Sequence, residues 1–326
     1  MLKKNKIAVV IPCFNEAKNI GSVLHGIPKF VDFLIVVDDA STDETINLAQ
    51  SFSKSDKRIS VVPLVENLGV GGAISKGYER AQVLDADVTI VMAGDGQMDP
   101  VFLKPMIDLI IQKSADVVKT NRLGYRNSEE LIPRIRYVGN YLLSILTKVA
   151  SGYWHISDAQ SGYVAINKDV LMTIDWGRIY PRYGQPNDVL IQMNIYNFRI
   201  IDFITPPRYG VGEESKMVIS RVIRTVPGLL VRGFLTRLWK KYVIQQSHPL
   251  ILFYLMSFLS GVISIFFASR IFFDLFSGNA IPEISALAFA LCSFISIHSL
   301  TFAMWFDMQE NRELQSTYRP SRVSLG

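Results

Sequence analysis

The residues in this chain best suited to chemistry are acids that stand where apolar runs end. Val88–Val91 is a short apolar run that reads as a buried strand, bounded by Gly94. Asp95, Gly96, Gln97, Met98, Asp99 and Pro100 follow, and Phe102 to Ile111 then reads as a helix. Asp95 is thus expected at a strand end, where open α/β sheets bind ligands. A carboxylate and an amide oxygen two residues apart, on Asp95 and Gln97, suit a hard divalent cation such as Mg²⁺ or Mn²⁺. By itself such a hexapeptide reads equally as an acidic turn, and its weight comes from the rest of the chain. A second acidic pair, Asp38-Asp39, closes the apolar run Phe33–Val37. Asp188, in Pro186-Asn187-Asp188, suits either a general base or positioning group, or a plain helix cap.

The elements that must hold these residues alternate. Ile7 to Pro12 reads as a buried strand, and Asn15 as the cap of a helix through about Leu24, with Glu16 in its first turn. Phe33–Val37 is a strand, followed by a helix from Ile46 to about Phe52, a strand at Ile59–Leu64 and a helix to about Leu84. After the Val88 strand come a short strand at Asp116–Lys119, a helix over Glu129–Ala150, and a turn at Asp158–Gly162. A strand at Tyr163–Ile166, a loop at Gly184–Asp188 leading into a helix to about Tyr196, and a strand at Arg199–Ile204 complete this part. The alternation predicts an α/β fold with a mostly parallel sheet and helices on both faces. Gly69-Val70-Gly71-Gly72 is no dinucleotide fingerprint, because Ile74 stands where the last glycine belongs, and the P-loop lysine is absent. A glycine turn near a nucleotide phosphate stays open as a reading.

The composition changes toward the C-terminus. The chain has 326 residues and a net charge of +5, with a mean hydropathy of +0.23. From Ser215 through Phe273 there is no Asp or Glu. Lys216, Arg221, Arg224, Arg232, Arg237, Lys240 and Lys241 alternate there with Val218, Ile219, Leu229, Leu230, Phe234 and Leu238. That is the pattern of basic amphipathic helices on a membrane surface, and it points to anionic lipid rather than nucleic acid. Leu250–Ser269 and Ile284–Phe306 are long enough to span a bilayer. Lys240 and Lys241 before them, and Arg312, Arg319 and Arg322 after them, put both flanks in the cytoplasm and the intervening link outside. Arg270, near the outer end, can snorkel to the interface. Cys13 and Cys292 lie in segments of different character, so no disulfide framework is expected. Met1–Lys6 leads straight into a strand rather than a signal-peptide core.

Five pieces taken together resemble the family 2 glycosyltransferases of GT-A fold (Rossmann-like). They are Val10-Ile11-Pro12-Cys13-Phe14-Asn15-Glu16, Val36-Val37-Asp38-Asp39-Ala40-Ser41, Asn67-Leu68-Gly69, Gly94-Asp95-Gly96-Gln97-Met98-Asp99-Pro100 and Asp158-Ala159-Gln160-Ser161-Gly162-Tyr163. The resemblance covers roughly Ile7 to Tyr209 and is closest to polyprenyl-phosphate glycosyltransferases, such as dolichol-phosphate mannose synthases and bactoprenol glucosyltransferases. It implies that Pro12, Asn15, Glu16, Asp38, Asp39 and Gly69 line the nucleotide-sugar pocket, with Asp39 accepting from the base. It implies that Asp95 and Gln97 hold Mg²⁺ or Mn²⁺, and that Arg122 holds the acceptor phosphate with Arg134 or Arg136. The chain departs from the family at Ala93, where the usual Asp-x-Asp has its first acid.

The implied reaction moves a sugar, with inversion, from a nucleotide sugar to a membrane polyprenyl phosphate, giving a lipid-linked donor for envelope glycans. A UDP-sugar is the preferred donor and a GDP-sugar the second. The implied place is the inner membrane with a cytoplasmic catalytic domain, and a homo-oligomer is compatible with the sequence. Two rivals remain. One is a processive polysaccharide synthase, whose Gln-x-x-Arg-Trp motif is not matched by Thr236-Arg237-Leu238-Trp239. The other is an inactive, membrane-anchored nucleotide-sugar binder, which Ala93 supports. The expected partition is a GT-A domain over 1–212, basic amphipathic helices over 213–247, two spans over 248–308 and a cytoplasmic tail over 309–326.

Overall fold

The structure is a computed structural model that describes residues 5–210, 219–280 and 282–316. Lys216, Val218, Arg319 and Arg322 lie outside the described residues, as does the side chain of Arg221. The chain forms two compact units, one of residues up to Phe234 together with Glu313 onward, the other of Leu235–Arg312.

The first unit is built on strands β1 (Ile7–Cys13), β2 (Phe33–Asp38), β3 (Ile59–Pro63), β4 (Val88–Val91), β5 (Val117–Asn121), β6 (Val164–Asn167), β7 (Ile200–Ile204) and β8 (Gln315–Ser316). They form one sheet in the order β3-β2-β1-β4-β6-β5-β7-β8. Only β6 runs against its neighbours, so the sheet is mostly parallel, as the alternation predicts. β8 has no counterpart in the sequence reading. Strands β1 and β4, and β2 from Leu34 on, are continuous runs of buried residues, the mark of a sheet covered on both faces.

Between the strands lie helices α1 (Ile20–Gly26), α2 (Thr45–Ser55), α3 (Val70–Val83), α4 (Leu103–Ile111), α5 (Ser128–Leu131), α6 (Arg134–Ser151), α7 (Lys168–Thr173) and α8 (Gln185–Ile195). One core lies under α1, α2 and α4, and a second under α3, α7 and α8. Three local readings are corrected. Asn15 does not cap α1, because it takes a left-handed turn at φ 54° and the helix starts only at Ile20. The stretch Glu129–Ala150 is not one helix, because Ile132 is extended before Pro133, as a residue ahead of proline prefers, and α6 starts afresh at Arg134. Helix α8 starts at Gln185, with Pro186 in its first turn, so Asp188 is helical rather than in the loop.

Helix α9 (Ile219–Arg237) follows. Its Val226 and Leu230 join Ala150 of α6 and Ile191 and Ile195 of α8 in a small third core. In the second unit a π-helical stretch, Leu238–Gln245, precedes α10 (Leu250–Phe276) and α11 (Glu283–Glu310), both longer than the sequence reading gave. Small polar residues stitch these two helices together: Ser257 Oγ donates to the Ser296 carbonyl at 3.0 Å, Ser296 Oγ to the Ser257 carbonyl at 2.9 Å, and Ser264 Oγ lies 2.6 Å from Ser293 Oγ. Interhelical contacts of this kind hold apolar helices together where lipid removes the hydrophobic drive. At one end Arg237 and Tyr242 converge on Asp307 at 2.7 and 2.6 Å, all three fully buried, and Lys241 donates to Asn311 at 2.8 Å. A buried ion pair is tolerated when its spare valences are met this way.

Candidate active site

Because β1, β2, β4, β5 and β7 run in one direction, their C-terminal ends share one edge of the sheet. β6 runs the other way and brings the segment before it, Asp158–Tyr163, to that same edge. All five quoted motifs therefore end on one rim, which is where α/β sheets bind ligands.

On the β1–β2 side the turns after the strands are sewn together. Asn15 donates its backbone N–H to Ser41 Oγ at 2.9 Å, and its Oδ1 accepts from Thr42 N at 2.8 Å. Glu16 N donates to Thr45 Oγ1 at 2.7 Å. Pro12 is buried within β1, opposite Val37. The Asp39 carboxylate accepts from the backbone N–H of Leu68 at 2.8 Å and of Gly69 at 2.9 Å, which fixes the Asn67–Gly69 turn as a third wall. Burial raises the Asp39 pKa, and those two amides and the Arg182 charge oppose the rise. Asp38 is 2% exposed; one oxygen accepts from Ser41 N at 3.1 Å, while Oδ1 is buried with no protein partner. Such an orphan acceptor is costly unless a ligand donor meets it.

The glycines of this wall serve packing against protein. A Cβ on Gly69 (φ +90°) would lie 2.9 Å from the Pro181 carbonyl, and one on Gly71 2.6 Å from the Tyr180 carbonyl. They admit the 180–185 segment. Arg182 reaches across from it to Asn67 Oδ1 and O, at 3.2 Å each. Asp39→Ala is therefore expected to loosen this wall and to weaken nucleotide binding by roughly 1.5–3 kcal/mol, the worth of a buried hydrogen bond to a charged group. Isothermal calorimetry with a nucleoside diphosphate checks it, and unchanged affinity would remove Asp39 from the pocket.

After β4 the chain makes a tight Asx turn in which Gln97 N donates to Asp95 Oδ1 at 2.9 Å. Ala93 N donates to Met98 Sδ at 3.2 Å. Asp99 is spent on structure: its carboxylate accepts from Val101 N at 3.0 Å and pairs with Arg208 at 3.1 Å. The Gln97 side-chain nitrogen is buried without a partner. Since the two ends of an amide are interchangeable by a flip, this orphan is open to turning its oxygen toward a cation. Among the described residues no three His, Cys, Asp or Glu side chains converge on one point. Asp95 and Gln97, one carboxylate and one amide, would fit Mg²⁺ or Mn²⁺ only with oxygens from a bound diphosphate.

On the β5–β6 side Arg122 forms a fork with Asp158, Nε to Oδ2 at 2.7 Å and Nη2 to Oδ1 at 3.1 Å; its backbone N–H adds a third bond at 3.1 Å. Asp158 is fully buried and Arg122 24% exposed. Burial alone would raise the Asp158 pKa, but Arg122 and Lys119 hold it below the usual carboxylate range. Lys119 is itself buried in β5, hydrogen-bonded to the Ser161 carbonyl, and desolvation pulls it down to about 8. Asp202 of β7, which accepts from Asn121 Nδ2 at 2.6 Å, is pushed up to about 6 by burial. Asp95 lies close enough to Arg122 to act on its charge.

Arg136 stacks over Tyr209, with 5.6 Å to the ring centroid, while Arg134 is exposed at the start of α6. A cavity of about 240 Å³ opens between α6 and the Leu123–Gly124 turn, lined by Tyr137, Tyr141, Lys148 and Ser157. Asp188 accepts from Tyr180 N at 2.8 Å and so braces the 180–185 segment; burial raises its pKa. Sequence reasoning missed Lys119, Asp202, Arg182, Arg208 and Tyr209. The first two carried a signal, since a charge inside a buried strand needs a partner. The other three sit in irregular loops, where no periodicity marks them.

The chain is similar in sequence and in fold to known proteins. The family model described as Glycosyl transferase family 2 matches residues 8–175. A UDP-N-acetylglucosamine–dolichyl-phosphate N-acetylglucosaminyltransferase of Methanococcus voltae is 29% identical over 57% of this chain and 78% of its own length. An undecaprenyl-phosphate mannosyltransferase of Micrococcus luteus is 27% identical over 65% of this chain and 87% of its own. Among solved structures, glucosyl-3-phosphoglycerate synthase of Mycobacterium tuberculosis, crystallised with Mn²⁺ and UDP, superposes with a TM-score of 0.54 at 20% identity over 72% of this chain and 80% of its own.

Proposed function

The chain belongs to glycosyl transferase family 2, and from that membership we propose that it transfers a sugar from a nucleotide sugar to the phosphate of a membrane polyprenol, with inversion. The observation that carries the lipid acceptor is the pairing of a family 2 catalytic unit with α10 and α11, helices of 27 and 28 residues whose apolar windows are long enough to cross a membrane. The two named transferases above act on dolichyl phosphate and undecaprenyl phosphate, which supports the same acceptor class here.

In this reading the base and ribose lie in the pocket of Pro12, Asn15, Glu16, Asp38, Asp39 and Gly69, where Asp38 Oδ1 awaits a donor. Asp95 and Gln97 hold the divalent cation, which when bound offsets the charge building on the leaving diphosphate. An acceptor phosphate oxygen attacks the anomeric carbon as the bond to the nucleoside diphosphate breaks. That phosphate is already ionised at neutral pH, so Asp188 has no proton to remove and serves to brace the 180–185 segment. Arg122, with Arg134 or Arg136, orients the phosphate through planar guanidinium contacts. UDP is the donor nucleotide favoured, and Mg²⁺ and Mn²⁺ are both suited to the oxygen donors.

The functional partition proposed is a transferase domain over 1–212, a basic juxtamembrane segment over 213–247, two spans over 248–308 and a tail over 309–326, at the inner membrane. Incubating the purified full chain with labelled nucleotide sugars and undecaprenyl or dolichyl phosphate, then extracting lipid, tests the reaction. Labelled lipid is expected; nucleotide binding without any labelled lipid would favour the inactive-binder reading that Ala93 supports. Topology is separately testable. A cysteine at Asn279, between the spans, should react with an impermeant maleimide from outside intact cells, and labelling that requires permeabilisation would reverse the topology.

A further inference from the structure

Two neighbouring side chains of β5 end on one residue. Lys119 and Thr120 leave the strand on opposite faces of the sheet, as successive strand residues do. Yet the Lys119 ammonium donates to the Ser161 carbonyl, and Thr120 Oγ1 lies 2.5 Å from Ser161 Oγ. Thr120 also donates to the Tyr163 carbonyl at 3.2 Å. Ser161 is thus gripped from both faces, in the same turn as Asp158, the partner of Arg122. A glutamine amide would grip a carbonyl at less cost, because an ammonium is expensive to bury. Lys119 is 2% exposed, and the small cavity that it borders between the sheet, α3 and α8 is walled largely by Ile74, Val189, Leu190 and Met193.

What the lysine adds is charge. Arg122, Asp158, Lys119 and Asp202 form a series of alternating sign. Asp158 acts on both Arg122 and Lys119, and Asp202, opposite Lys119 in the β5–β7 register, acts on Lys119 in turn. The fork with Asp158 cancels the Arg122 charge that would draw an anion, and Lys119 offsets Asp158 from inside the sheet. We propose that Lys119 and Asp202 are positioning residues that set, through Asp158, how strongly Arg122 holds the acceptor phosphate. Lys119 strengthens the hold and Asp202 weakens it. This rests on the reading of Arg122 as a residue of the acceptor site.

Both groups can change charge near neutral pH. Desolvation pulls Lys119 down to about 8 and pushes Asp202 up to about 6. Asp202 Oδ1 is buried without a hydrogen-bond partner among the described residues, so a proton there breaks no bond. The other titratable side chains packed alongside stay neutral. Burial raises the Tyr78 phenol of α3, and it pulls His155, 3.0 Å from the Ile200 carbonyl of β7, down to about 4. The four groups therefore carry one net positive charge below about pH 6, none between, and one net negative charge above about pH 8. Interior charges escape most salt screening, so each step should reach the phosphate.

The test uses the full chain in vesicles, with labelled nucleotide sugar and varied undecaprenyl phosphate. At neutral pH, Lys119→Met should raise KM for the lipid roughly three- to tenfold, the scale of one unit charge at a partly buried site. Asp202→Asn keeps an oxygen for the Asn121 and Ser157 donors and should lower that KM. Nucleotide affinity by calorimetry should match the parent in both variants, and kcat at saturating lipid should move less than KM. Damage to the fold does not tighten acceptor binding, so Asp202→Asn decides even where Lys119→Met fails to fold. In the parent, KM should rise as pH passes about 8, where a phosphomonoester is already ionised. Lys119→Arg stays protonated and should remove that rise. Parental KM in either Lys119→Met or Asp202→Asn, a higher KM in Asp202→Asn, or a parental KM that stays flat through this range overturns the proposal and leaves the cluster structural. A parent that gives no labelled lipid overturns the acceptor reading, and this inference with it.

Discussion

Asp158→Ala is expected to destabilise the catalytic unit by ~3–5 kcal/mol, the cost of stripping one partner from a buried ion pair. Asp158 has no exposed surface, and its two oxygens take three bonds from Arg122 alone. Without it Arg122 and the buried Lys119, whose charges oppose each other, would lose the carboxylate that acts on both. Thermal unfolding of the full chain in detergent measures the effect, and an unchanged midpoint would show that the pair contributes nothing. Asp158→Asn keeps an acceptor but not the charge, and should fall between. Arg122→Lys separates holding the fold from holding the acceptor. Lysine keeps the cation but cannot make the fork, so KM for polyprenyl phosphate should rise while nucleotide affinity stays near that of the parent. Parental acceptor kinetics in Arg122→Lys would leave Arg122 a structural residue.

Asp95→Asn is expected to lower kcat by roughly 10²–10³, the scale on which removing one electrostatic stabiliser of the developing charge acts. Position 93 is Ala, and Asp99 is tied to Arg208 and Val101, so the proposed cation site draws one carboxylate, Asp95, from this turn. Cation and nucleotide should therefore bind with strong mutual dependence, each raising the other's affinity by the same factor. Titrating Mn²⁺ with and without a nucleoside diphosphate reads that factor directly. Equal, tight Mn²⁺ binding in both titrations, or parental turnover by Asp95→Asn in chelator, would move the metal centre away from this turn. Ala93→Asp is expected to raise Mn²⁺ affinity in the nucleotide-free protein.

The strands and the acids at their ends were legible because burial on both faces leaves an unmistakable apolar run and ligand sites follow strand ends. What escaped was set by contacts distant in sequence. Nothing near Asp39 says that its carboxylate will clamp the amides of Leu68 and Gly69. Arg208 meets Asp99 across the sheet from a loop after β7. Local rules misled where two of them competed: Asn15 is a good cap but also a good left-handed residue, and here the turn won. Pro133 divided a helical pattern that periodicity alone would have run through.

The strand β8 carries a consequence for how this protein is made. Its two residues, Gln315 and Ser316, pair with Ile200 and Ile201 of β7, yet they are synthesised after both long apolar helices. The sheet therefore cannot be completed until both apolar helices have left the ribosome, and until then β7 lacks this edge partner, the kind of surface that recruits stray strands. A fragment cut before α10 to gain solubility keeps that edge open permanently. It should aggregate more readily than the full chain, and a better-behaved soluble form would join residues 313–316 back onto the end of the catalytic unit by a short linker.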